Sequence, residues 1–237
     1  GAVATLTSFA EKHGIPVTET IAGRSQMLHD HKLNAGALGV IGSSSANALA
    51  AEADVVLAVG TRLQDFTTGS WSVFGNESMQ LIAINAASFD AHKHRALSVV
   101  GDAKVGLEDL SSALGNWAGS PAWIETAQGH YAEWNRTVDQ HSGPSDTVPP
   151  SYGQVVGAIN RSCDSTDLAL TAAGGLPGEL CKNWKTRSIG TFDCEFGFSC
   201  MGYEIAGGWG AKMADPSRDV IVFVGDGSYL MLNSDIY

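Results

Sequence analysis

Apolar and polar positions change period repeatedly along this chain, and each change marks an element. Val3, Leu6, Phe9 and Ala10 recur at helical spacing, which predicts a helix over Ala2–His13 that stops at Gly14. A short strand is expected over Ile15–Thr20, followed by a loop with glycine and histidine as far as Gly42. Ser43-Ser44-Ser45 caps a helix over Ala46–Ala53, and the apolar run Asp54–Gly60 reads as a strand. A polar, aromatic-containing loop fills Thr61–Gly75. Two more strands follow, Met79–Asn85 and Leu97–Asp102, then helices over Ala103–Leu114 and Pro121–Gln140. Trp123, Tyr131 and Trp134 lie at helical spacing in the second of these helices, where packing accounts for them better than a stacking platform.

Periodicity then breaks. His141–Ser151 carries Pro144, Pro149 and Pro150 and reads as the linker between a domain over 1–140 and another over 152–237. Beyond it come a helix over Tyr152–Cys163, a buried strand Leu168–Thr171, a glycine-rich loop Ala172–Gly178 and a weaker strand Arg187–Asp193. A glycine-rich helix start occupies Met201–Gly208. Val220–Val224 reads as a fully buried parallel strand that ends in Gly225-Asp226-Gly227, with Ser228 opening a helix. Strands alternating with helices give an α/β chain of two parallel-sheet Rossmann-like domains, the second truncated.

Composition narrows the function classes. With 237 residues the chain could hold one large or two ordinary domains, and 44% hydrophobic positions supply ample core. A formal charge of -11 leaves no basic surface to neutralise a phosphate backbone, so no nucleic-acid partner is expected. No apolar run reaches the length of a membrane span, and GAVATLTSFAEKHG lacks the regions of a signal peptide. No membrane partner and a cytoplasmic location are therefore expected. Cys163, Cys181, Cys194 and Cys200 show neither CxxC nor zinc spacing and read as reduced thiols. His29-Asp30-His31 has no third ligand nearby and is assigned no role, and His92 and His94 likewise read as surface positions.

An anion would have to be met by backbone donors or a metal. Gly225, Gly227 and Ser228 place backbone N–H groups at a strand-to-helix turn, and Asp226 adds a hard carboxylate oxygen of the kind Mg²⁺ prefers. The same turn also occurs in α/β proteins as simple scaffold. Gly174 and Gly175, and the Met201-Gly202 helix start, are two further glycine-rich turns at strand ends on the same side of a parallel sheet. Three convergent turns point to a ligand.

The order of these segments resembles the thiamine-diphosphate enzymes of the acetolactate synthase type. The segments are a proline-rich linker, a Thr-x-x-Gly strand turn, a Met-Gly helix start and a strand ending in Gly-Asp-Gly-Ser. The half before the linker, with ADVVLAVGTRLQDF, QLIAINAASFD and SVVGDAK, resembles that family's middle domain. Within the superfamily, GTRLQDFTTGSW, FGFSCMGYEIAGGWGAKMA and VIVFVGDGSYLMLNSDI are most similar to the hydrolases of inositol catabolism that cleave a C–C bond of a cyclic 1,2-dione to a 5-deoxyglucuronate.

The resemblance implies thiamine diphosphate and Mg²⁺ as cofactors, a small cyclic dione as substrate and a homo-oligomeric full-length protein. It implies that Asp226 ligates the metal, and that Gly225, Gly227 and Ser228 bind the diphosphate with Gly174, Gly175 and Leu176 opposite. Met201 matches the bulky residue that props the cofactor in a bent form. The family's activating glutamate and its second metal-binding Asn find no match, Asn233 being too close to Asp226, so the chain is expected to be an internal fragment, inactive alone. Ile84-Asn85-Ala86-Ala87 departs from the Ile-Asp-Ile-Asp run of flavin-binding relatives, and no flavin is expected. Two rival readings stand beside this one: a 2-keto-acid decarboxylase or ligase of the acetolactate synthase kind, and a catalytically silent nucleotide-binding or interaction module.

Overall fold

A computed structural model describes all 237 residues. The chain divides into two compact units, one of Gly1–Thr20 with His31–Trp134 and one of Ile21–Asp30 with Asn135–Tyr237.

The first unit opens with α1 (Ala2–His13), which ends where Gly14 turns left-handed at φ 60° and donates its N–H to Ala10. β1 (Val17–Glu19) pairs in parallel with β2 (Asn34–Ala37), a strand inside the stretch expected to be loop. NAGA has no β-branched residue, so its sequence carries no strand signal; the strand is held by burial of all four residues. α2 (Ser44–Glu52) is capped by Ser43, whose Oγ accepts the N–H of Ala46 at 3.1 Å. β3 (Val55–Val59), β4 (Gln80–Asn85) and β5 (Leu97–Val100) form a parallel sheet in that order. Two short helices, α3 (Asp65–Thr68) and α4 (Ser88–Ala91), sit in its loops. α5 (Ala103–Leu114) follows, capped by Asp102. Phe9 of α1, Ile84 of β4 and Leu107 of α5 make one buried cluster with Leu57 and Val59 of β3 packed on it.

His13 is fully buried, with Nδ1 at 2.7 Å from the carbonyl of Trp117 and Nε2 at 2.9 Å from Ser111 Oγ. It is a satisfied core histidine. His31 meets Glu11 at 3.2 Å, and His94 stacks on Trp71 with ring centroids 4.2 Å apart. α6 (Pro121–Ser142) runs two residues past the helix end expected from sequence, into the stretch read as linker.

The second unit is built on β6 (Leu168–Thr171), flanked by β7 (Phe192–Cys194) and β8 (Val220–Val222), all parallel, in the order β7-β6-β8. Its helices are α7 (Tyr152–Ser162), α8 (Gly175–Asn183), α9 (Tyr203–Ala214) and α10 (Asp226–Leu232). Ser151 and Gln154 close a reciprocal capping box on α7. Every residue of β6 is buried, as a central parallel strand requires. β8 departs from expectation: it is shorter than Val220–Val224 and half-buried, because only β6 pairs with it. β7 is likewise shorter than the strand expected over Arg187–Asp193. Residues 21–30, expected to be plain loop, lie alongside β7. There Ser25 accepts the N–H of Phe192 at 3.1 Å, and His29 Nδ1 sits 3.0 Å from the carbonyl of Thr186.

Candidate functional site

Parallel strands send all their following loops to one edge of the sheet, where ligands of open α/β sheets bind. β6 and β8 are neighbours there. The N–H of Phe223 donates to Leu170 at 2.8 Å, and Thr171 Oγ1 donates to the carbonyl of Phe223 at 3.0 Å. The turn carrying Gly174, Gly175 and Leu176 and the turn carrying Gly225, Asp226, Gly227 and Ser228 therefore leave the sheet side by side.

Gly174 caps α8 at φ 88°, ψ -155°, a backbone conformation that a side chain would strain, and a Cβ on it would meet nothing within 4 Å. Gly225 likewise faces open space. Gly174 and Gly175 are exposed while Ala172 and Ala173 are buried, so the backbone reaches the surface at the glycines. Leu176 is half-buried beside them. Asp226 is exposed, with Oδ1 accepting the N–H of Gly227 at 2.9 Å, and Ser228 is buried beneath it. Met201 is 46% exposed, and its Cε lies 3.3 Å from where a Cβ on Gly227 would sit. The structure thus brings the Met201 side chain against the Gly-Asp-Gly turn.

Sequence reading passed over the acidic groups that hold the Met201 turn. Glu195, at the end of β7, accepts the N–H of Cys200 at 2.8 Å and that of Phe198 at 3.1 Å. The Cys200 N–H foremost, opposed by partial burial, holds the Glu195 carboxyl below its ordinary value. Tyr203 donates its hydroxyl to Asp193 at 2.6 Å; burial, then that bond, pushes the phenol up. Glu204 is fully buried, with Oε1 accepting the N–H of Ala173 at 3.1 Å and Oε2 that of Gly202 at 2.9 Å. Burial also raises the Cys194 thiol, with the buried Cys181 and the surrounding acids adding to it. The signal for Glu204 was available: MGYEIAGGWG is an apolar, glycine-rich helix start with one lone carboxylate.

Models of the thiamine pyrophosphate enzyme central domain and C-terminal TPP binding domain match residues 1–110 and 172–237 respectively. The chain belongs to the thiamine pyrophosphate enzymes. It is similar to the 3D-(3,5/4)-trihydroxycyclohexane-1,2-dione hydrolase of Geobacillus thermodenitrificans, at 39% identity over 96% of this chain and 39% of that relative. The hydrolases of the same name from Clostridium tetani and Bacillus anthracis are 36% and 37% identical over 99% and 98% of this chain. The chain spans about two fifths of the length of these relatives. No helix is long and apolar enough to cross a membrane.

The residues present fit the diphosphate end of such a cofactor. Gly174 and Gly225 offer uncovered backbone on adjacent turns. Nowhere do three or more His, Cys, Asp or Glu gather to hold a metal by themselves. A Mg²⁺ ion at Asp226 would share that one carboxylate with phosphate oxygens and water, which is the coordination Mg²⁺ favours.

Proposed function

We propose that this chain supplies the middle domain and part of the diphosphate-binding domain of a thiamine-diphosphate- and Mg²⁺-dependent hydrolase of inositol catabolism. Its substrate would be 3D-(3,5/4)-trihydroxycyclohexane-1,2-dione, opened by C–C cleavage to 5-deoxyglucuronate in a cytoplasmic homo-oligomer. The observation that supports the reading is the adjacency of two glycine turns, Gly174-Gly175 and Gly225-Asp226-Gly227, in which Gly174 and Gly225 face open space and Met201 lies against Gly227. The bound cofactor supplies the carbanion chemistry. Backbone N–H groups of Gly174, Gly175, Gly225, Gly227 and Ser228 hold the diphosphate, with Leu176 lining its side. Asp226 would hold the metal beside the diphosphate, and Met201 would support the cofactor from the neighbouring turn. The group that activates the cofactor lies outside these residues, so residues 1–237 expressed alone are expected to turn over no dione.

The test uses the full-length protein with the cyclic dione, thiamine diphosphate and Mg²⁺. Dione opening that needs both cofactors is expected. Asp226→Asn should weaken cofactor binding about 10- to 100-fold, the worth of one charge-assisted contact. An Asp226→Asn protein that binds and turns over normally would remove the metal assignment. Turnover of pyruvate in place of the dione would instead favour the acetolactate synthase-like reading, and no cofactor binding at all the silent module.

A further inference from the structure

We infer that Glu204 is a positioning residue that fixes where the Gly174-Gly175 turn lies relative to the Met201 turn beside the diphosphate pocket, an inference that rests on the thiamine-diphosphate reading above. Its side chain leaves the first turn of α9 and is 0% exposed, on a helix start that is otherwise apolar. Burying a carboxyl group is unfavourable unless its oxygens are satisfied. Here each oxygen accepts one backbone N–H, and the two donors belong to different loops. Ala173 precedes the exposed Gly174-Gly175 turn at the end of β6, and Gly202 follows Met201. A hydrophobic side chain could pack α9 against β6 but would leave both buried amides without an acceptor, which is unfavourable. Only a two-oxygen acceptor sets where both amides lie.

This arrangement has a consequence for which amides remain. The N–H groups of Ala173 and Gly202 are turned inward to Glu204, so the diphosphate must draw on the amides beyond them, from Gly174 and Gly175 on one wall and the Gly225–Ser228 turn on the other. The wall with Met201 is braced at two other points, by Glu195 on Phe198 and Cys200 and by Asp193 on the Tyr203 hydroxyl. Glu204 is the brace that ties the Met201 turn to the Gly174-Gly175 turn.

Two substitutions separate positioning from simple structural support. Glu204→Gln keeps the shape but turns an amide donor toward one of the two backbone donors. Glu204→Leu removes both acceptors while keeping the packing. In the full-length protein, thiamine diphosphate affinity is measured by titration calorimetry with Mg²⁺ present, and apoprotein stability by thermal melting. Glu204→Gln should weaken the cofactor's Kd about tenfold. Glu204→Leu leaves two buried amides without an acceptor and should melt below wild type. Measured well below that melting temperature, where the apoprotein is fully folded, it should still show the same loss of affinity, which structural support alone cannot produce. If wild type binds and both variants bind equally well, Glu204 positions nothing. A Kd that worsens only at temperatures where the apoprotein has begun to melt also overturns the inference. A wild-type protein that fails to bind thiamine diphosphate overturns the cofactor reading and this inference with it.

Discussion

Replacing Gly202 with alanine tests how the Met201 turn is built. Gly202 sits at φ 94°, ψ -16°, and a Cβ there would stand 2.3 Å from Leu232 Cδ1 and 2.7 Å from its Cγ. Two costs add. A left-handed conformation costs an L residue about 1–2 kcal/mol. Carbon atoms settle near 3.5–4.0 Å, so Leu232 must withdraw by more than about 1 Å. Leu232 is half-buried, so the repacking cost belongs at the low end of the overpacking range, about 1 kcal/mol. Gly202→Ala should therefore destabilise by about 2–3 kcal/mol, measured by urea unfolding of the full-length protein with tryptophan fluorescence. In a Leu232→Ala background the clash is gone except for the Leu232 Cβ, 3.2 Å away. There the same substitution should cost only the conformational part, a coupling of about 1 kcal/mol. A Gly202→Ala protein within about 0.5 kcal/mol of wild type would refute the backbone argument. Equal costs in both backgrounds would refute the contact with Leu232.

Two further outcomes follow from the acids and thiols around this turn. Glu195 has a folded-state value depressed below 4.5, so its stabilisation is complete above 4.5 and is lost as pH falls through the folded value. Glu195→Gln should lower stability near neutrality, and its deficit should shrink in acid; a deficit unchanged by pH would show that charge plays no part. Among the thiols, Cys200 is exposed while Cys181 and Cys194 are buried and Cys194 is raised by that burial. Iodoacetamide should label Cys200 first in the native protein and the other two only after denaturation, and mass spectrometry showing Cys194 labelled as fast as Cys200 would contradict the packing of β7.

What sequence pattern reveals here depends on how local the cause is. α1, the Ser43 cap and α5 were legible because spacing, cap residue and stop glycine lie within one short segment. β2 was not, because Asn34-Ala35-Gly36-Ala37 has no intrinsic preference for a strand and acquires one by pairing with β1. Residues 21–30 were equally opaque: Ser25 and His29 make their bonds to residues more than 150 positions away in the chain. β8 was overrated for the reverse reason, since VIVFV carries the hydrophobicity of a central strand while the strand has a neighbour on one side only.

The same distinction divides the candidate site. Glycine turns announce themselves, because Gly174 and Gly202 take left-handed backbone and Gly225 faces open space, and the need for glycine at such positions is local. Carboxylates do not, because the role of Glu204 is set by amides at Ala173 and Gly202, one of them 31 residues away. In the sequence Glu204 is one acidic residue among 25 acidic residues. In the fold it is one of only two acidic residues in the buried set, the other being Glu19. A lone carboxylate in an apolar helix start is thus worth treating as a candidate bridge between backbones before it is set aside as a solvated charge.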